Sequence, residues 1–254
     1  MDSQKLLSYL RQCIKKYDMI HPGDRIAVGL SGGKDSLTLL YGLKKLQSFY
    51  PVPFDLVAIY VNLGWNHPEE AIRKMNTFCS ELEVPFYPID TEIYPIVFKE
   101  RKEKNPCSLC AKMRKGALNQ KALELNCNTI AYAHHSDDFM ETSLMSLFYT
   151  GKYYCFPPVT YMEDTGLTVI RPMFYISEKE VRGFAARNQL PVISNPCPAD
   201  GYTKRQEIKE FIEKNREQFP DLRKNLHTGL ENYFEEDCSE FNCWLRIFRK
   251  TIYG

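Results

Sequence analysis

Three observations predict an α/β fold with a doubly wound, parallel sheet. Apolar runs of strand length alternate with amphipathic stretches of helix length. One run, Leu56-Val57-Ala58-Ile59-Tyr60-Val61 within residues 55–62, is near-continuously apolar, as in a parallel strand covered on both faces. A glycine pair, Gly32-Gly33, separates a strand from a helix, where such sheets place their ligands.

The elements follow in order. Residues 3–17 form an amphipathic helix with Leu6, Leu7, Leu10 and Ile14 on one face. Arg25–Leu30 is the first strand, and Leu37–Leu43 lies in the helix after it. Residues 55–62 are the second strand, 68–82 a helix and 85–89 a third strand. Thr129–Ala133 is a strand that leads into a helix over 136–148. Residues 169–171 and 191–193 are short strands with a helix over 177–188 between them. The loops after Leu30, Asn62, Ala133 and Arg171 are expected to converge at the carboxyl edge. Residues 91–106 read as a charged insertion, and the stretch after Asn195 as a helix plus an irregular tail. The expected division is a nucleotide-binding domain over 1–194 and a C-terminal extension over 195–254.

Composition sets bounds. At 254 residues and 44% hydrophobic the chain can bury a core and is not a disordered polymer. A net charge of +1 gives no global field toward nucleic acid, so an RNA surface has to be a local patch. The chain shows neither a membrane span nor a secretory leader, so a cytoplasmic protein without membrane contact is expected. Nine cysteines without a secretory leader fit reduced thiols or metal ligands better than a disulfide framework.

Ser31-Gly32-Gly33-Lys34-Asp35-Ser36 carries the first chemical signal. Two glycines let the backbone turn with no Cβ to hold phosphate away. The first-turn amides and the helix dipole favour an anion there. Lys34 adds a point charge, and Ser31 and Ser36 add hydroxyl donors. The string lacks the spacer of G-x-x-x-x-G-K-[ST] and the pattern G-x-G-x-x-G.

The second signal is His134-His135-Ser136-Asp137-Asp138-Phe139-Met140-Glu141-Thr142, which opens a helix. Asp137 and Glu141 are four apart and share a face. Two carboxylates there suit Mg²⁺, which binds through few protein oxygens plus phosphate. Acidic N-capping explains Asp137 and Asp138 equally well. His135 either contacts nucleotide or substrate, or caps the helix.

The third signal is Cys107-Ser108-Leu109-Cys110 at a helix entrance, a spacing that suggests metal, iron–sulfur or redox chemistry. No second C-x-x-C follows, so a four-thiolate zinc ribbon is not expected. Cys197, between two prolines, is the best third ligand; three thiolates on a 4Fe–4S cube leave one iron open. Buried thiols or structural zinc are the bland alternative. Lys112, Arg114 and Lys115 would favour thiolates and offset cluster charge. Cys13, Cys79, Cys127 and Cys155 read as packing residues. Cys238 and Cys243 are unassigned.

These strings together resemble one family. The loop Ser31–Ser36 is similar to the SGGxDS loop of the PP-loop ATP pyrophosphatases, and residues 134–142 to their second motif. With Cys107–Cys110, the following Ala-Lys-Met-Arg-Lys-Gly116, Tyr149-Thr-Gly-Lys152, Pro157-Pro158, Ile170-Arg-Pro-Met173 and Cys197 ahead of Lys204-Arg205-Gln206, the chain resembles the tRNA 2-thiocytidine synthetases over about residues 26–219. The family usually has a cysteine just before the third ligand and Gly-Ser-Gln after it. Here the string is Ser194-Asn-Pro-Cys-Pro-Ala-Asp-Gly201, so the acceptor is open at this loop.

The resemblance implies ATP-dependent thiolation at C2 of an anticodon-loop cytidine, with Mg²⁺ and a 4Fe–4S cluster on Cys107, Cys110 and Cys197. It implies ATP on Ser31, Gly32, Gly33, Lys34, Asp35 and Ser36, with Asn62, His135 and Asp138 alongside. Lys34, Asp35 and Asp137 become the catalytic set, and Asp35, Asp137 and Glu141 the Mg²⁺ ligands. tRNA is expected against the basic runs 99–104 and 112–115, although Glu100 and Glu103 also fit a solvated face. Implied partners are a sulfur donor such as a cysteine desulfurase and, with room left for it, a second copy of the chain. The alternatives are a PP-loop sulfurtransferase with another acceptor, a non-thiolating PP-loop ligase with structural cysteines, and a nucleotide-binding or iron–sulfur sensor without turnover.

Overall fold

The structure, a computed structural model, describes residues 1–64, 69–101, 106–193 and 204–235. It divides into two compact units, 1–135 with 159–200, and 136–158 with 201–254.

The first unit carries a six-stranded sheet. Its strands are β1 Asp24–Leu30, β2 Phe54–Asn62, β3 Phe86–Asp90, β4 Thr129–Ala131, β5 Val159–Met162 and β6 Leu167–Ile170, in the order β3-β2-β1-β4-β6-β5. All neighbours are parallel except β5 and β6. In the register, Ala27 lies between Val57 on β2 and Ile130 on β4. Among the described residues, the α-helices of this unit are α1 Ser3–Lys16, α2 Lys34–Gln47, α3 Glu69–Glu81, α4 Pro106–Glu124, and, beyond the residues of the second unit, α6 Glu178–Arg187.

Both sheet faces are buried, as the apolar runs require. Ala27, Val57, Ile59, Val61, Ile130 and Val169 form one core with Leu118 and Ala122 of α4. The alternating residues Ile26, Val28, Leu56 and Ala58 are buried as well, because successive side chains point to opposite faces. Leu6, Leu10, Cys13 and Ile14 form the buried stripe of α1, which packs on α2. Asp2 caps α1 by accepting from the Lys5 amide at 2.8 Å. Ser177 and Glu180 form a capping box on α6.

The second unit contains α5 Ser136–Thr150, α7 Lys204–Lys214 and α8, residues 222–235. Its core is aromatic and aliphatic. The Phe139 ring lies 4.7 Å from Phe156 and 6.1 Å from Phe234. Ile208, Ile212 and Leu230 are buried with them.

Three expectations are corrected. Residues 191–193 are not a strand: both edges of β6 are taken by β4 and β5, and the Ile193 amide donates to the Gly32 carbonyl at 2.9 Å. The antiparallel β5 is additional; it returns on β6 through a tight turn in which Gly166, at φ +71°, donates to the Met162 carbonyl at 2.8 Å. Residues 91–101 are more than a charged insertion, since Pro95–Glu100 is a π-helical turn with Val97 and the preceding Ile93 in the core. Residues 102–104 of the basic run lie outside the described residues.

Candidate active site

The adjacency of β2, β1, β4 and β6, all parallel, places their carboxyl ends on one edge of the sheet. The loops after Leu30, Asn62, Ala133 and Arg171 therefore leave from the same side, as expected.

The loop after β1 is held by its own hydroxyls. Ser36 Oγ accepts from the Ser31 amide at 3.1 Å and donates to the Gly33 carbonyl at 3.1 Å. Ser31 Oγ accepts from the Gly33 amide at 3.2 Å. Gly33 is the N-cap of α2 and no side chain caps it, so the first turn presents amides that a phosphate can take. Gly32 has φ +76°, and a Cβ there would stand 3.2 Å from Ile193. A Gly32→Ala change is expected to cost about 1–2 kcal/mol from the left-handed backbone alone. It should also weaken ATP binding; thermal unfolding and ATP titration read the two effects.

Lys34 Nζ lies 3.2 Å from Asp35 Oδ2 and 3.3 Å from Glu178 Oε1. Glu178 is also paired with Arg182 at 3.0 Å. Asp35 Oδ1 is buried and has no hydrogen-bond partner; the imidazole Nε2 of buried His135 is 3.8 Å away. An acceptor oxygen left without a donor fits a cation brought with phosphate. Asn62 is buried, and its side chain is spent internally: its amide donates to Asp90 Oδ1 at 2.9 Å and its oxygen accepts from the Gly64 amide at 3.2 Å.

In the same unit, Cys107 and Cys110 stand in the first turn of α4, neither of them in a disulfide. Three residues apart, they share a helix face. Cys107 is exposed and Cys110 half-buried against the core. Two thiols on one face of a helix's first turn have the placement of two ligands of a cluster. Cys197 lies outside the described residues, as do Cys238 and Cys243. Cys13, Cys79, Cys127 and Cys155 are buried; burial pushes the Cys79 thiol up to about 12.

In the second unit, Asp137 and Glu141 are both buried on α5. They hold guanidinium groups. Arg223 of α8 pairs with Asp137. Arg205 of α7 donates to Asp138 Oδ1 and Glu141 Oε2, each at 3.1 Å, and to Thr142 Oγ1 at 3.2 Å. Burial pushes the Glu141 carboxyl up and Arg205 pulls it back. Glu178, Arg205 and Arg223 were not singled out as site residues by the sequence. Arg205 stands in the string Lys204-Arg205-Gln206, but nothing local announces its partners sixty-odd residues away.

Comparison with known proteins gives the context. The PP-loop domain family matches residues 3–216. A tRNA-cytidine(32) 2-sulfurtransferase of Nitrosomonas eutropha is 37% identical over 236 residues, covering 91% of this chain and 75% of that protein. One of Pelobacter propionicus is 35% identical over 233 residues, covering 90% and 86%. Among solved structures, the U34-tRNA thiolase NcsA from Methanococcus maripaludis, with its [4Fe-4S] cluster, superposes with a TM-score of 0.73 at 26% identity, covering 91% of this chain and 78% of that one. An NH3-dependent NAD synthetase from Campylobacter jejuni shares the fold at a TM-score of 0.50 and 18% identity.

Proposed function

Because this chain belongs to the PP-loop family and, within it, to the tRNA-cytidine(32) 2-sulfurtransferases, we propose that it is an ATP-dependent tRNA thiolase that replaces the C2 oxygen of an anticodon-loop cytidine by sulfur. The observation that carries the reading is the pairing, in one unit, of an uncapped glycine loop with a two-thiol helix turn.

The loop Ser31–Ser36 binds the ATP phosphates on its amides, hydroxyls and Lys34. The cytidine C2 oxygen attacks the α-phosphorus, the bond to the β-phosphate oxygen breaks and pyrophosphate leaves. Lys34 and the loop amides stabilise the charge that develops on phosphate. Sulfide from the donor then bonds to C2 and AMP departs with the original oxygen, so no net oxidation is needed. Asp35 would hold Mg²⁺ together with phosphate oxygens, and His135 stands beside that carboxylate. Asp137 and Asp138, expected as catalytic and nucleotide-binding residues, act in this reading through their guanidinium partners. Asn62 shapes the neighbouring loop.

A 4Fe–4S cluster would be held by Cys107, Cys110 and Cys197, and when bound it supplies an open iron site for sulfide. The cytidine is splayed out of its loop to reach the carboxyl edge. Lys99, Lys112 and Lys115, all exposed, offer phosphate contacts on the first unit. A cysteine desulfurase as sulfur donor, with a thiol reductant that supplies the two electrons freeing its persulfide sulfur as sulfide, a homodimer and a cytoplasmic site of action complete the proposal. Among the described residues no helix is long and apolar enough to cross a membrane.

Nucleoside mass spectrometry of tRNA from cells with and without this chain tests the reading. Loss of 2-thiocytidine on deletion, and its return on complementation, is the expected result. An unchanged 2-thiocytidine level overturns the acceptor assignment.

A further inference from the structure

Asp137, Asp138 and Glu141 crowd three carboxylates into the first two turns of α5. Asp137 and Glu141 are each only 5% exposed. Like charges this close repel, and burial adds a desolvation cost to each. The fold answers with guanidinium groups. Arg205 Nη1 donates to Asp138 Oδ1, to the Asp138 carbonyl at 3.4 Å and to Glu141 Oε2, while Nη2 donates to Thr142 Oγ1. Arg223 pairs with Asp137 and lies 3.8 Å from Glu213. A planar fork meets several acceptors in fixed directions, which an ammonium cannot. Among the described residues, no group of three or more His, Cys, Asp or Glu side chains is arranged to hold a metal ion.

We propose that Arg205 is a positioning residue for the thiolation reaction, acting through Glu141 and Asp138, and that Glu141 serves this guanidinium rather than Mg²⁺. The contacts bind four groups of the second motif to the first turn of α7. In the sequence, Arg205 follows Cys197 by eight residues, so the clamp fixes where the chain enters α7 after that cysteine. Mg²⁺ at buried Glu141 would have to displace a half-buried guanidinium bonded to several acceptors, whereas Asp35 Oδ1 has no hydrogen-bond partner to lose. The inference rests on the thiolase reading for its activity measurement only; the metal comparison needs ATP alone.

The test uses the full chain and three variants, Arg205→Met, Arg205→Lys and Glu141→Gln. Thiolation kinetics are measured with tRNA, and ATP binding is followed by calorimetry across Mg²⁺ concentrations. In Arg205→Met, kcat is expected to fall about tenfold or more with KM for ATP within about twofold. Arg205→Lys should recover part of that loss, because charge returns without the fork. In Glu141→Gln, the Mg²⁺ concentration that half-saturates ATP binding should stay within about twofold of wild type, while kcat falls.

A roughly tenfold rise in that Mg²⁺ concentration would make Glu141 a metal ligand and overturn the proposal. Wild-type kcat in a folded Arg205→Met chain would overturn it as well. If Arg205→Met does not fold, Glu141→Gln, which keeps volume and an acceptor oxygen, decides alone. A wild-type chain that binds Mg·ATP but thiolates no tRNA refutes the thiolase reading, and the Mg²⁺ comparison still decides whether Glu141 ligates metal.

Discussion

Replacing Lys34 by alanine lowers pyrophosphate formation by about two to three orders of magnitude, the usual effect of deleting a preorganised donor at a site of developing charge. The fold should survive the change. Lys34 is partly exposed, and its two ion pairs, to Asp35 and Glu178, are of the surface type that contributes little to stability. Glu178 also retains Arg182 as a partner. The loss therefore falls on the reaction: without the ammonium, the charge on the phosphates is left to the amides, the hydroxyls and the cation that Asp35 would hold. Lys34→Arg is a poor replacement, because a planar fork on a longer stem does not occupy the place of a compact point charge. Pyrophosphate release, measured beside a thermal unfolding curve, checks both halves. Unchanged release in a folded Lys34→Ala chain would remove Lys34 from the catalytic set.

What the sequence made legible was what is local. Gly32-Gly33 between two apolar stretches announced the turn, and the strand order then placed it at the carboxyl edge. The apolar run of β2 showed its two covered faces, and the helix expected over 177–188 is α6. The misses were long-range. Residues 191–193 have strand-like composition, yet whether they pair depends on which edges of the sheet remain open. β5 is four residues long, and only β6 completes it. Asp137 and Glu141 were visible as a facing pair, but their guanidinium partners come from helices far along the chain. The same limit applied to Glu178, whose charge is assigned to Lys34 by packing of α6 near α2.

Alanine at both Cys107 and Cys110 should abolish thiolation and bound iron while leaving the fold and the adenylation half-reaction in place. Both residues sit in the first turn of α4, where alanine is the best helix former, and Cys107 is exposed, so the backbone tolerates the exchange. The glycine loop, which in the proposed reading handles ATP, belongs to a different element, α2 and its approach, and keeps its hydroxyl network. Pyrophosphate should then appear as a burst of about one equivalent per chain, because the activated cytidine forms and no sulfur displaces AMP. Buried cysteines supply the control. Cys79 is held as a neutral thiol by burial, with its pKa pushed up to about 12, and Cys127 is shifted in the same direction. A neutral buried thiol is a poor metal ligand, so Cys79→Ala should leave iron content unchanged. Anaerobic purification with iron analysis, followed by pre-steady-state pyrophosphate measurement, separates the outcomes. Iron at the wild-type level in the double variant would overturn the cluster assignment. Multiple turnover of pyrophosphate in that variant, with thiolated tRNA still formed, would show that sulfur reaches the cytidine without these two thiols.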